Sequence, residues 1–164
     1  DYDYLLFGYG LCSNGTSGLR SATQTLVVPK THDCISILLG SRALYDQEFA
    51  RCPGTIYLSK GWIDQGAEPL AEFRRYAQDY GEELAQSFID DMYGNYQRVV
   101  FIYTELDNLE PYVEYAKEVA DYLGVKFEER QGSLELLRKL VSGQWDKEFI
   151  VNPPGQIIMQ SSFL

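Results

Sequence analysis

Positive charge and soft metal ligands are scarce in this chain. It has 14 lysines and arginines against 24 aspartates and glutamates, a formal net charge of −10, with one histidine, three cysteines and two methionines. Such an acidic chain repels nucleic acid and anionic lipid surfaces at long range, so neither is an expected partner. No apolar run approaches the roughly 20 residues of a membrane span. No secretory signal is visible, and a cytoplasmic protein is expected. Cys12, Cys34 and Cys52 cannot all pair within one chain. An odd count without an export signal favours a reducing compartment and free or metal-bound thiols.

What is present is enough for a core. Hydrophobic residues make up 45% of 164 positions, which excludes a disordered chain and suits a single α/β domain over 1–164 without disulfide or metal staples. The first residue is not Met, and Asp1-Tyr2-Asp3-Tyr4 runs directly into an apolar strand. The chain therefore reads as one lacking an upstream piece. The charge is uneven: residues 1–63 hold five acids and five bases, so the whole −10 falls on residues 64–164. The neutral first third is the part able to receive an anion, near Lys30 and Arg20.

Strands and helices alternate along the chain. Tyr4–Tyr9 reads as a buried parallel strand ending in glycines, and Thr25–Val28, closed by Pro29, as a second. Thr31 is a candidate N-cap with His32, Asp33 and Cys34 in the first helical turn, and Gly40-Ser41 interrupts that helix before Arg42–Arg51. Thr55–Leu58 is a third strand, and Gly61-Trp62 opens a loop, near which two lobes could part. Pro69–Tyr93 is a long helical stretch broken near Tyr80-Gly81, with an apolar stripe through Leu70, Phe73, Tyr76, Ala77, Leu84, Phe88 and Ile89. Arg98–Tyr103 is a strand, Pro111–Leu123 a helix stopped by Gly124, and Val125–Glu128 a strand. Ser133–Val141 is a helix capped by Ser133, Phe149–Val151 a last strand, and Ile157–Met159 an extension after a Pro153-Pro154-Gly155 turn. The order implies a three-layer, Rossmann-like fold, a mostly parallel sheet with helices on both faces.

Functional groups of an open α/β sheet lie at strand ends. Two such ends carry Gly8-Tyr9-Gly10-Leu11-Cys12-Ser13-Asn14-Gly15-Thr16-Ser17-Gly18 and Pro29-Lys30-Thr31-His32-Asp33-Cys34. Cys12, His32 and Cys34 are candidate metal ligands, because zinc binds thiolate and imidazole at roughly 2.0–2.3 Å and a catalytic zinc commonly keeps three protein ligands. Cys52 could close the shell, and Asp33 could orient the imidazole. Equally, both thiols could be small buried hydrophobes. Cys34 is also the candidate nucleophile, since a helix N-terminus lowers a thiol from about 8.5. Residues two apart on a helix do not face each other, so Cys12 is the better partner for His32.

Gly8-x-Gly10 falls short of the dinucleotide fingerprint because Ser13 stands where its third glycine is needed. Gly10, Asn14, Gly15 and Thr16 could still cradle a small anion. Arg20, Arg42 and Lys60 are candidate cations around this mouth. Trp62 is favoured as a core-edge aromatic over a ligand-stacking face. Glu105-Leu106-Asp107 could add a carboxylate, although Asp107 or Asn108 suits a helix cap better. Tyr76, Tyr80, Tyr112, Tyr115 and Tyr122 suit helix packing, and a homo-oligomer contact is one expectation they raise.

The two strand-end strings, with Leu39-Gly40-Ser41-Arg42, Pro53-Gly54-Thr55, Gly61-Trp62 and Pro153-Pro154-Gly155, resemble a prokaryotic domain of unknown function, family 1638. The resemblance covers most of the chain. It implies a setting in methanogens and other anaerobes, with some members near corrinoid-dependent methyl-transfer genes; this is a context and not a reaction. Members usually begin upstream of this chain's first residue with a segment that often carries another cysteine, so the chain reads as a fragment of a longer member. The His-x-Cys pair is also similar to the zinc ligands of corrinoid-linked methyltransferases. Those enzymes use a larger barrel, so the likeness is one of spacing alone.

Two readings stand. The leading one is a metal-binding protein of anaerobic, methyl-transfer metabolism, holding zinc or iron through Cys12, His32 and Cys34, with Cys34 as its reactive thiol. The other is a non-enzymatic small-ligand or anion-binding module with structural cysteines.

Overall fold

The computed structural model describes residues 2–105 and 108–164. Its contacts divide the chain into two compact units, Asp1–Gln47 with Gly132–Leu164, and Glu48–Gln131. The expected lobe boundary near Gly61–Pro69 falls inside the second unit.

The first unit is built around one strand. β2 (Thr25–Pro29) lies between β1 (Tyr4–Leu6), which runs parallel to it, and β6 (Phe149–Asn152), which runs antiparallel. Side chains alternate across a strand, so β2 feeds two cores. Leu26 and Val28 join Leu11, Ile158 and Phe163, while Val27 joins Ile37 of α1 (Cys34–Leu39) and Leu136 and Leu140 of α7 (Glu135–Ser142). β1 is not the buried strand expected from Tyr4–Tyr9. It ends at Leu6, and Tyr4, Leu5 and Leu6 are 50%, 41% and 42% exposed. An edge strand with one neighbour has no second layer to bury it.

The second unit holds β3 (Thr55–Leu58), β4 (Arg98–Tyr103) and β5 (Lys126–Gln131), all parallel in the order β3-β4-β5. Val99 through Ile102 are fully buried, so both faces of β4 are covered. Val113, Ala116, Val119 and Ala120 of α6 (Glu110–Leu123) recur at helical spacing and meet Ile56, Leu58, Val99 and Phe101. Between these strands lie α3 (Lys60–Asp64), α4 (Pro69–Tyr80) and α5 (Glu82–Tyr93). The Gly61-Trp62 loop of the sequence reading is thus helical. Gly81 parts α4 from α5 at φ 85°, where the sequence placed a break. Along their expected apolar stripe Leu84 and Phe88 remain exposed while Ile89 is buried, and Ala85, outside that stripe, is buried with it. Glu68 caps α4 by accepting from the Leu70 and Ala71 amides at 2.8 and 2.7 Å. α2 (Arg42–Arg51) completes the helices between β2 and β3.

The fold is therefore mixed α/β, and one of its two sheets is wholly parallel. The single mostly parallel sheet expected from the sequence is corrected to two sheets of three. β2 takes β1 and β6 as its neighbours, and β3 pairs with β4 instead of extending β2. Alternation of strand and helix does not say which strands pair. The cap residues also shift. Asp33, not Thr31, caps α1, which places Cys34 first in the helix and His32 ahead of it. Ser133 accepts from the Glu135 amide at 3.1 Å, but Leu134 occupies the cap of α7. Asn108 adopts φ 58° ahead of Leu109, the cap of α6, while the roles assigned to Leu106 and Asp107 lie outside the described residues.

At the start of β4, Arg98 is buried to 2% exposure. Its Nε donates to Thr55 Oγ1 at 2.7 Å, Nη1 to Glu128 Oε2 at 3.0 Å and Nη2 to Glu48 Oε2 at 2.9 Å. Arg130 donates to the same two carboxylates at 2.9 and 2.8 Å. Removing Arg98 leaves the Thr55 hydroxyl without its donor and the half-buried Glu48 and Glu128 with Arg51 and Arg130 alone. Arg98→Ala is expected to cost about 3 kcal/mol in urea unfolding, whereas Arg51→Ala, at the exposed rim of the cluster, should cost under about 1 kcal/mol.

Candidate functional site

The glycine loop is fastened to the end of β2 by backbone contacts. Leu11 N–H donates to Thr31 O at 2.9 Å and Cys12 N–H to His32 O at 3.0 Å. A Cβ on Gly10 would overlap both the hydroxyl and the carbonyl oxygen of Thr31, so only glycine fits there. Thr16 is fully buried and donates its hydroxyl to Gly10 O at 3.0 Å. The four residues expected to cradle a ligand therefore divide. Gly10 and Thr16 serve the loop's own closure, while Asn14 and Gly15 are exposed.

Cys12, Ser13 and Asn14 all have left-handed backbones, at φ 40°, 54° and 68°. For L residues this costs roughly 1–2 kcal/mol each. The turn is closed by Gly15 N–H to Cys12 O at 3.0 Å and Ser17 N–H to Asn14 O at 3.1 Å. Strain of this kind persists where surroundings fix it and clusters at functional sites.

The backbone brings Cys12 beside His32, with both half-buried and Cys34 exposed. Asp33 does not orient the imidazole through Oδ1, which accepts from the Ser36 amide at 3.1 Å and lies 3.3 Å from the Ser36 hydroxyl. Among the described residues, no three His, Cys, Asp or Glu side chains are grouped so as to hold a metal ion. Cys52 lies in the second unit, its thiol 3.6 Å from Gln97 Oε1. The Cys34 thiol is pushed up from its ordinary value, by burial first and then by Cys12 and Asp33, against smaller help from the Cys34 and Ile35 amides. The sequence reading expected the opposite sign from the helix N-terminus. Partial desolvation, with the Cys12 thiol and the Asp33 carboxylate close by, outweighs a dipole from a helix of only six residues.

Two clefts flank Thr31 and His32. One, of about 280 Å³, is lined by Leu11, His32, Gln160, Ser161 and Leu164. The other, of about 210 Å³, is lined by Lys30, Thr31, Arg42, Leu136, Lys147, Glu148 and Leu164. Of the three cations expected at the mouth, only Arg42 lines either of these clefts. Arg20 is exposed and bridges to Ile157. Lys60 pairs with Asp64 and donates to Tyr112 at 2.8 Å within the second unit. Trp62 packs against the core of the second unit, the role favoured for it. Lys147, Gln160 and Ser161 were not singled out in the sequence, because they meet β2 only through the return of the chain along β6.

An α/β chain with a strand-end cleft beside a cysteine loop is thus defined by its own geometry. It belongs to the family described as protein of unknown function (DUF1638), whose model matches residues 1–141. No curated protein and no solved structure matches the chain. No helix among the described residues is long and apolar enough to cross a membrane.

Gly10→Ala is expected to destabilise by about 2 kcal/mol through overpacking, while Gly8→Ala, with open space around it, should stay within about 0.5 kcal/mol; urea midpoints decide this. A second outcome concerns Cys34, whose thiolate is the disfavoured, charged form. Its alkylation by iodoacetamide, followed by peptide mass spectrometry, should be slow at neutral pH and accelerate only above the ordinary thiol range. Cys12→Ser removes a like charge and should shift that midpoint to lower pH. Fast alkylation at pH 7 contradicts the assignment.

Proposed function

We propose that this chain is a non-enzymatic small-ligand-binding module whose ligand occupies the cleft at the carboxyl end of β2. The observation that supports it is the cleft of about 280 Å³, which has an apolar wall at Leu11 and polar groups at His32, Gln160 and Ser161. Apolar walls with a few convergent polar groups are the usual make-up of a ligand site. The Leu11 and Cys12 amides, bonded to the Thr31 and His32 carbonyls, hold Leu11 and His32 together on this wall. In this reading the thiols are structural, and the protein works in a reducing, cytoplasmic compartment. We extend the reading to a three-layer, Rossmann-like arrangement, supported by the parallel order β3-β4-β5 and the burial of β4 on both faces.

A second reading is supported by one observation, that the bond from Cys12 N–H to His32 O at 3.0 Å holds Cys12 beside His32, two residues ahead of Cys34. Here the two thiols and His32 take up zinc or iron once their side chains turn toward one another, in the anaerobic, corrinoid-linked setting that the family resemblance implies. No reaction step is drawn through such an ion.

The chain has a single histidine, so its imidazole proton signals are a private probe of the cleft. Titration with acetate, succinate and glycerol phosphate is expected to shift the His32 signals saturably with at least one of them. Silence toward all three at millimolar concentration overturns the cleft reading. One equivalent of zinc added to the reduced protein tests the second reading: His32 should respond, and the response should vanish in Cys12→Ser.

A further inference from the structure

We propose that Lys30, Arg42 and Lys147 form a binding site for a phosphoryl group, in the cleft of about 210 Å³ that they line together with Thr31, Leu136, Glu148 and Leu164. It goes beyond the reading above, whose ligand lies in the other cleft, the one lined by His32.

The charge of this cleft runs against that of the chain. The whole molecule carries −10, yet the cleft presents two ammoniums and a guanidinium. Its one acid, Glu148, already accepts from Lys139 Nζ through Oε2 at 3.0 Å. Lys139 is further held by Asp146 at 3.0 Å. Neither Lys30 nor Lys147 is tied in an ion pair among the described residues, where the pairs nearest to them belong to Lys139. Arg42 donates from Nη1 to Phe163 O at 2.6 Å, with Asp46 at 3.8 Å from Nε. A guanidinium has five N–H donors in a fixed fork, so Arg42 keeps capacity for an oxyanion.

The Thr31 hydroxyl does not add to these cations: its Oγ1 is closed off from solvent and lies where a Cβ on Gly10 would overlap it, so it faces the glycine loop. Three cations suit a dianion better than a carboxylate, since a phosphoryl group carries about −1.5 to −2 at neutral pH and offers three acceptor oxygens. The volume falls below the roughly 300 Å³ at which pockets for drug-sized molecules begin. The ligand is therefore a small phosphorylated molecule or free phosphate, and not a polymer.

Calorimetric titration of the full chain at low salt with inorganic phosphate, glycerol phosphate and acetate tests this. Both phosphoryl compounds are expected to bind, with acetate at least about tenfold weaker. Tighter glycerol phosphate identifies a phosphorylated metabolite as the ligand, and equal affinities identify phosphate itself. Lys147→Ala, an exposed position that leaves the core intact, should weaken phosphate about tenfold, as one charge-assisted bond does. Thr31→Val, which changes the group turned toward the glycine loop, should leave phosphate binding within about twofold. Absence of phosphoryl binding at millimolar concentration overturns the proposal, as does binding unchanged in Lys147→Ala. Phosphate binding that is lost in Lys147→Ala while His32 stays silent to every probe sustains this site and removes the cleft reading. A His32 response to succinate alone does the reverse.

Discussion

Everything at the candidate site depends on how closely Gly10 approaches Thr31. The loop backbone lies against the end of β2 with no room for a Cβ, and two amide-to-carbonyl bonds continue the contact to Cys12. Thr16 then closes the loop back on Gly10. This single close approach has three effects. It holds Cys12 beside His32, it presents Leu11 to the core under β2, and it buries the Thr31 hydroxyl. The third effect is costly, because Thr31 Oγ1 finds no hydrogen-bond partner among the described residues. The amide bonds of the loop and the packing of Leu11 under β2 hold the contact in spite of that cost.

Two clusters of charge in this acidic chain are organised by different rules. In the second unit, Arg98 is surrounded by acceptors and forms a closed network with Glu48, Glu128 and Thr55. Every donor there faces a partner, so the cluster fixes where β3, β4 and β5 begin and offers little to a ligand. In the first unit, Lys30 and Lys147 line a cleft whose one acidic side chain, Glu148, is already held by Lys139. A satisfied network stiffens a fold, whereas an open one recruits something from solution.

The elements were legible and their pairing was not. Pro, Gly and apolar periodicity placed β3, β4 and the break at Gly81 where they occur, because those signals act within a few residues. Sheet partnership is decided by contacts distant in sequence, so the split into β1-β2-β6 and β3-β4-β5 left no local mark. The same holds at the site. His32 and the cysteine loop stood out as rare residues in a glycine-rich context. Lys147 and Ser161 reach β2 only because the chain returns antiparallel, and a lone lysine or serine in a sequence carries no sign of that. Asp33 was visible but misassigned, since an acid next to a histidine looks like its partner, while the competing amide of Ser36 wins its oxygen.

The left-handed turn at Cys12–Asn14 has a chemical consequence apart from its strain. Asn14 precedes Gly15 on an exposed loop, a dipeptide in which the following amide nitrogen readily attacks the asparagine side chain and ages a protein by succinimide formation. That attack requires the Gly15 nitrogen to be free. Here its N–H is held by Cys12 O at 3.0 Å. The hydrogen bond that closes the turn therefore also slows its decay, and the covalent lifetime of the loop is set by the same geometry as its shape.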